Sequence, residues 1–533
     1  MRRSGPILLI ALMAILALVG KGPTFDAAAA PSPGGTLVVS HFNEADRLDP
    51  QFAVTSSNIP VLYQLFDTLF RYDLKFKLHP HLVTSYQKID ATTYRFQLRS
   101  GVRFHNGREL TSDDVRFSVL RAKDPKVIRR FADNIADVRV IDALTFEMKL
   151  EKPDPLALHW LSTLPTAIVP KAEVERAGAT FAARPIGTGP FKLVEWVRDD
   201  HITVEANNDY FLGRPLLDRV IFRTIPDPTT MLLELETGKI DVAYEISPDS
   251  YDRVAANKDL VVEGVPALEA HLLAFNVGGK QRGFKRSSPF NDRRVRQAVY
   301  HAVRWDEVFR GVTPNPRFGV RIYCHASILS TVTSPECRNY WPQPAYDPAK
   351  ARRLLQQAGY GDGLRMPILV WNKAHERAAI VIQAELKQVG INAEVNFLEL
   401  PTWNDRVLSG QMDSFLVRWG GVGMADPFGW IYRMFHSSQF DFRGNFVRYV
   451  NPEVDRILDR AAASEGPERL PLFRQAEARI IQDVPSIPIY GNNVVMAWNK
   501  KVKGFHPDPL RDWAGAFYRF WVPTQGIRVY VEK

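Results

Sequence analysis

Apolar positions along the chain switch repeatedly between the alternation of a strand and the three-to-four spacing of a helix. GTLVVSHF (Gly35–Phe42) is a short β-rich run. After Asn58, read as a cap, Val61, Leu62, Leu65, Phe66 and Leu69 share one helical face. YRFQLRSGVRFHNG (Tyr94–Gly107) alternates on both sides of Ser100-Gly101 and predicts a hairpin. LTSDDVRFSVLRA predicts a helix capped by Ser112, and DVRVIDALTFEMKLEKP two strands around a turn. RVIFRTI, PDPTTMLLELETG and KIDVAYEI then form a strand–helix–strand unit with Pro228 near the helix start and Gly238 at its end. Such a unit implies a mixed or parallel sheet.

The second half repeats the style. NDRRVRQAVYHAV places Val295, Ala298, Val299, Ala302 and Val303 on one stripe, capped by Asn291 or Asp292. In YDPAKARRLLQQAGY, Asp347 is the N-cap, Pro348 opens the helix and Gly359 stops it. MPILVWN, a helix ending at Gly390, and INAEVNFLEL make another strand–helix–strand unit, followed by the strand DSFLVRWGG and two amphipathic helices that stop before Pro485. No repeat period appears, so a solenoid or propeller is excluded. Two α/β lobes of unequal size fit the pattern. LLAFNV (Leu272–Val277) and SIPIYGNN (Ser486–Asn493) are short β-type runs placed where the chain would cross between them.

The N-terminus stands apart. Arg2 and Arg3 precede the uninterrupted apolar run Ile7–Val19, and Ala27–Ala30 supplies small residues. The run is shorter than the roughly 20 residues that span a bilayer but suits a signal peptide cut near Ala30. A buried helix would show polar residues at helical spacing, and none interrupts the run. No cysteine follows it, so a lipid-modified N-terminus is not expected. The mature chain is expected to be an unanchored, soluble monomer outside the cytoplasm.

Composition narrows the rest. The chain has 533 residues, 45% hydrophobic and 24% charged, which excludes global disorder and a coiled-coil rod. The formal charge of +9 is spread among interspersed acids, with only short basic clusters, so nucleic acid is not an expected partner. Two cysteines cannot build a disulfide-rich scaffold or a four-cysteine zinc site. Cys324 and Cys337 are close in sequence, and in an oxidising compartment a local disulfide is expected, with two separate buried thiols as the alternative.

Catalytic chemistry is nearly absent. The serine-elbow, phosphate-loop, dinucleotide and H-E-x-x-H patterns are missing, and neither an enzyme nor a cofactor or metal is expected. Ser85-x-x-Lys88 lacks its partner motifs. His79-Pro-His81 has no acid or cysteine to complete a metal site, and Asp113-Asp114 sit where a helix dipole favours acids. In IGTGPFKL, Pro190 stops the glycines from opening a helix, so a tight turn into a strand is expected rather than a nucleotide loop.

The ordered segments LDP (Leu48–Pro50), LRSGVRFHNGRELTSDDVRFS, IGTGPFKL, NDYFLGRPLLDRVIFRTIPD, LETGKIDVA, AFNVGG, FNDRRVRQAVYHAV, YDPAKARRLLQQAG and VNPEVD carry a resemblance. Together they resemble the extracellular solute-binding proteins of ABC transporters, family 5, the group of oligopeptide-, dipeptide- and nickel-binding proteins. The resemblance implies an α/β periplasmic-binding-protein fold: two lobes with mixed sheets and two hinge crossings, closing around a small-molecule or peptide ligand. It also implies delivery to a permease in the inner membrane. The expected division is a signal peptide over 1–30, a first lobe over 31–273 with an extra subdomain at about 60–185, a second lobe over 274–488, and a return to the first lobe over 489–533.

Ligand contacts are expected on loops facing the cleft: Phe42 with Asn43 and Glu44, Ser56 with Ser57, and Asn276 at the crossing. In VRWGGVGMADPFGW, Arg418, Trp419, Asp426, Phe428 and Trp430 are the leading candidates, against the alternatives of core packing for Trp419 and Trp430 and a solvated strand position for Arg418. Peptide-binding members have an acid about three positions after a Gly-Trp pair, where it binds the ligand ammonium. Here the pair reads Trp419-Gly420, and Val422, Gly423 and Met424 follow. Peptides lead as the ligand class, with an opine, a sugar or an aromatic acid as alternatives. An exported hydrolase and a sensory receptor are the rival functions.

Overall fold

Along the strand Thr36–His41, Leu37 and Val39 enter one apolar cluster while Val38 packs against another, so both faces of its sheet are covered. The computed structural model describes residues 34–532 apart from 53–56, 125, 128–131, 279–287, 328–329, 331–344, 421–424, 441–443, 513–514, 518 and 526. Thr36–His41 pairs in parallel with Arg219–Thr224, with Val39 opposite Phe222, and the sheet continues through the antiparallel strands His201–Ala206 and Phe191–Val197. In the second lobe Leu364–Val370 is parallel to both Ile391–Phe397 and Ser414–Trp419, and Ser414–Trp419 runs antiparallel to Ala270–Phe275. There Leu273 and Phe275 enter one core, Leu272 and Ala274 the other.

One strand belongs to both lobes. The first residues of Ser486–Asn499 face His271–Ala274, whereas Asn493–Asn499 oppose Leu260–Pro266. Ile487 and Ile489 therefore fill the second lobe's core, and Val494, Met496 and Trp498 that of the first. The chain crosses between lobes through residues 267–269 and again around 491–492. The first crossing lies just before Leu272–Val277, where the sequence suggests it, because Ala270–Phe275 pairs along its whole length inside the second lobe. The result is the two-lobed mixed α/β fold expected from the sequence.

A separate four-stranded antiparallel sheet, in the order Val83–Lys88, Thr93–Leu98, Thr145–Leu150, Ile135–Val140, forms a subdomain on the first lobe. Tyr94, Phe96 and Leu98 point inward, and Phe96 stacks on Phe146 at 5.0 Å. The alternation over Tyr94–Gly107 is thus real up to Leu98, but its strand partners are Val83–Lys88 and Thr145–Leu150, not residues beyond Ser100-Gly101. Alternation fixes which face is buried and leaves the partner open. Of the expected caps, Asp292 and Asp347 hold, accepting from the Arg294 and Lys350 amides at 2.8 Å each. The helix Ser112–Arg121 is capped one residue earlier than expected, by Thr111 in a capping box with Asp114, and Ser57 rather than Asn58 precedes Asn58–Leu65.

The subdomain is fastened through Asp67. Arg71 Nη2 (2.7 Å), His81 Nε2 (2.8 Å) and the Tyr210 hydroxyl (3.2 Å) donate to Asp67 Oδ1, and the Thr188 hydroxyl (2.9 Å) donates to Oδ2. Burial opposes ionisation of Asp67, but Arg71, His81 and these bonds overcome it and hold the carboxyl down to about 2. This absorbs two suggestive sequence motifs. His81 is an Asp67 partner, not half of a metal site. The glycines of IGTG let the backbone lie against the preceding helix: a Cβ on Gly187 would sit 2.0 Å from the Leu65 carbonyl oxygen, and one on Gly189 2.3 Å from that of Gln64.

Candidate functional site

The two crossings touch where Gly491 passes the first segment; a Cβ there would come 3.0 Å from the Glu269 carbonyl oxygen. Around this point lies a buried polar cluster drawn from four distant parts of the chain. His271 Nε2 is 3.2 Å from Glu269 Oε1, and His271 Nδ1 is 2.9 Å from His375 Nε2. A carboxylate only accepts, so a bond between His271 and Glu269 is donated by the His271 Nε2–H. Tyr490 stacks on the His271 ring at 4.2 Å, and the Asn492 amide is 3.1 Å from its Nε2. Arg418 Nη1 lies 3.8 Å from Glu269 Oε2, and its guanidinium sits over Trp371 at 5.9 Å. Burial, reinforced by His271 and Arg418, keeps His375 neutral and well below its ordinary value. Among the described residues, His375 Nδ1 and the Tyr490 hydroxyl are buried without a hydrogen bond.

A second group lines the mouth, where the first lobe meets the second. From the first lobe come Tyr72, whose hydroxyl bonds His159 Nδ1, and Leu156 and Trp160. The Trp160 indole N–H is fixed on Asp154 at 2.9 Å. From the second lobe comes a π-helical turn, Phe428–Tyr432, in which the Phe428 ring stacks on Tyr432 at 4.5 Å and Tyr432 on His436 at 4.4 Å. Phe428 also packs against Leu156 and Trp160 across the gap. Burial, and then the Asp426 carboxylate, push the Tyr72 hydroxyl far up. Burial lowers His159, with Asp426 opposing and Arg469 reinforcing.

The expected site residues divide. Arg418 is half-buried beside the crossings, and Phe428 is at the mouth. Phe42 is at the end of its parallel strand, where open α/β sheets place ligands, packed edge-on to Tyr244 at 6.1 Å. Asp426 is already engaged: its Oδ1 accepts from Arg469 Nη2 at 2.7 Å and from the Phe428 amide at 2.8 Å. Asn276 and Trp419 turn away from ligand chemistry. Asn276 donates to the Met412 and Gly410 carbonyls at 3.1 and 3.3 Å, and Trp419 is buried in the second core with its N–H on the Gly429 carbonyl at 3.2 Å. Each has its polar group satisfied inside the second lobe. Ser56 lies outside the described residues; Ser57 donates to the Glu44 carbonyl at 2.8 Å. Cys324 is buried, and Cys337 lies outside the described residues.

Sequence reasoning passes over Glu269, His271, His375, Tyr72, His159 and Trp160. The usable signal was acidic and imidazole residues set inside apolar strand runs, as in ALEAHLLAF, where a buried charge needs a partner. For Trp160 no local signal exists.

Two α/β lobes joined by two crossings, with a polar cluster at the joint and aromatic residues at the mouth, are the architecture of a solute-binding protein. The family described as bacterial extracellular solute-binding proteins, family 5, matches residues 77–442, and the chain belongs to it. It is a substrate-binding protein of an ABC importer, in a family that binds solutes rather than transforming them. Relatives include the oligopeptide-binding protein AppA of Bacillus subtilis, 26% identical, with 96% of this chain and 98% of that one aligned. The glutathione-binding protein GsiB of Escherichia coli strain K12 is 29% identical over 88% of this chain and 91% of its own. Among solved structures, the periplasmic binding protein DppA of Helicobacter pylori with the peptide STSA superposes with a TM-score of 0.77 at 24% identity, covering 94% of this chain and 99% of that one. Family members are extracellular or periplasmic, and no helix among the described residues is long and apolar enough to cross a membrane.

Proposed function

We propose that the protein binds a peptide or peptide-like solute carrying a carboxylate, in the cleft between its lobes, and hands it to an inner-membrane permease. The observation that carries this reading is the setting of Arg418. Its guanidinium is held beside the crossings by Glu269 and Trp371, while Asp426, next to Phe428, is paired with Arg469. The positions following Trp419-Gly420 that hold an acid in peptide-binding members are Val422, Gly423 and Met424 here. Recognition therefore leans on the anionic end of the solute, with Phe428 and Trp160 against its apolar part. The names of the relatives, which bind oligopeptides and glutathione, support the peptide class.

Native mass spectrometry of freshly purified protein tests the reading. A retained mass that fragments as a peptide or γ-linked peptide is the expected result; a neutral sugar or a free opine overturns the ligand class. The same reading holds that the chain is exported, cut near Ala30 and monomeric. N-terminal sequencing and light scattering check those points, and a free-thiol titration giving zero checks the Cys324–Cys337 bond. The sheet pairing supports lobe limits close to 31–273 and 274–488, with the first crossing at 267–269.

A further inference from the structure

The hairpin of Phe70–Tyr72 and Leu78–Pro80 projects from the first lobe, and Phe76 stands at its tip with φ of 59°. That left-handed conformation is unfavourable for a large side chain and is ordinarily given to glycine or asparagine. The turn itself does not need a phenyl ring. Asp73 Oδ1 accepts from the Lys75 and Lys77 amides at 2.8 and 2.9 Å, the Phe76 amide donates to the Asp73 carbonyl at 3.0 Å, and His79 Nε2 holds Asp73 Oδ2 at 2.9 Å. Glycine at 76 would close the same turn with less strain.

The ring has a different destination. Phe76 packs against the apolar cluster of the second lobe that contains Leu268, Trp419, Trp430 and Phe473, although it belongs to the first. The opposite contact is made by Phe428, which leaves the second lobe to pack on Leu156 and Trp160 of the first. Near the rim, Lys88 Nζ reaches Glu465 Oε1 at 2.6 Å, again from one lobe to the other. An exposed ion pair of this kind adds little. The two reciprocal aromatic insertions bury apolar area between the lobes, as does the contact of Tyr251 with Phe318 at 5.8 Å.

We propose that Phe76 is a closure residue: its ring enters the second lobe when the cleft shuts, and its strained backbone persists because the ring is needed across the gap. Strain retained at a moving element is a recurrent mark of function. The apparent affinity of a two-state receptor scales with the fraction of molecules able to hold the solute closed, so removing the ring weakens binding without touching a solute contact. The inference rests on the two-lobed solute-binding reading but not on which solute is bound.

The test uses the full mature chain and needs no ligand. A water-soluble carbodiimide activates the Glu465 carboxylate, and the Lys88 amine displaces the urea to leave an amide only where the two groups already touch. Peptide mass spectrometry then gives the Lys88–Glu465 yield, and a melting curve accompanies each variant. Phe76→Gly and Phe76→Ala are compared with Ile141→Ala, an exposed apolar residue of the same subdomain. We expect both Phe76 variants to lose about tenfold in cross-link yield, with Phe76→Gly keeping its melting temperature and Ile141→Ala changing neither. Unchanged yield in both Phe76 variants overturns the proposal. So does loss of folding in both, which would make Phe76 a core residue, and so does absence of the cross-link from the wild-type protein. None of these outcomes depends on the solute, so failure here is distinguishable from failure of the ligand assignment.

Discussion

Two buried charge clusters in this protein have opposite characters. At the junction of the first lobe and its subdomain, the Asp67 carboxylate receives four donors, three of them on one oxygen. At the crossing, Glu269 Oε1 faces His271 Nε2 at 3.2 Å and Oε2 faces Arg418 at 3.8 Å, while the neighbouring His375 Nδ1 and Tyr490 hydroxyl are without hydrogen bonds among the described residues. A fully bonded buried charge locks its surroundings into one arrangement. The crossing cluster instead joins groups from both connecting segments, where a hinge between lobes absorbs backbone change. The comparison sets a carboxylate held by four donors within one lobe against a polar cluster shared by the two crossings.

The largest effect should come from breaking the first cluster. Asp67→Asn leaves Arg71 and His81 buried against a neutral amide, and we expect a loss of about 3–5 kcal/mol in denaturant unfolding with solute affinity per folded molecule unchanged. An equal loss of affinity would make the junction part of the binding site. Next, Arg418→Gln removes the charge beside the crossing. Affinity for the retained solute, measured by calorimetry, should fall by about 2 kcal/mol while unfolding stability changes by half that or less. The reverse pattern would return Arg418 to a structural role.

Acid probes both regions at once. Burial lowers His41, His81 and His105 each to about 4, and it keeps His375 low as well. A histidine whose folded pKa lies below its unfolded value binds its proton more readily unfolded. Stability from these groups is therefore complete above about pH 6.5 and drains away as the pH falls toward 4, by up to about 1.4 kcal/mol per pH unit for each histidine. Asp67 adds a further loss as the pH falls from about 4 to 2, the same direction for the same reason. A melting temperature that stays flat from pH 7 to 4 would show that these imidazoles are not buried neutral.

Smaller effects sharpen the contrast at the mouth. Asp426→Asn keeps the bond from the Phe428 amide but loses the pairing with Arg469, so stability should fall by about 1 kcal/mol and affinity should hold. An affinity loss larger than the stability loss would restore Asp426 as an amine anchor. Lys88→Ala should change unfolding stability by about 0.5 kcal/mol or less, because the ion pair with Glu465 is exposed on both sides.

Much of the architecture was legible in the chain because its causes are local. The parity of Leu272, Leu273, Ala274 and Phe275 divides them between two cores, and Asp292 and Asp347 cap amides two or three residues away. The order of such segments was enough to place the chain in its family. Pairing was less legible: Thr93–Leu98 alternates as expected yet finds its partners at Val83–Lys88 and Thr145–Leu150. Of the site candidates, Arg418 is half-buried beside the crossings and Phe428 packs on Leu156 and Trp160, whereas Asn276, an equally reasonable candidate, ties its amide to backbone carbonyls. Periodicity and capping operate over a few residues and so can be read along the sequence. The meetings of Glu269 with Arg418, of Phe428 with Trp160 and of Phe76 with the second core join residues more than a hundred positions apart; strand pairing within the second lobe makes the first, and contact between the lobes makes the other two.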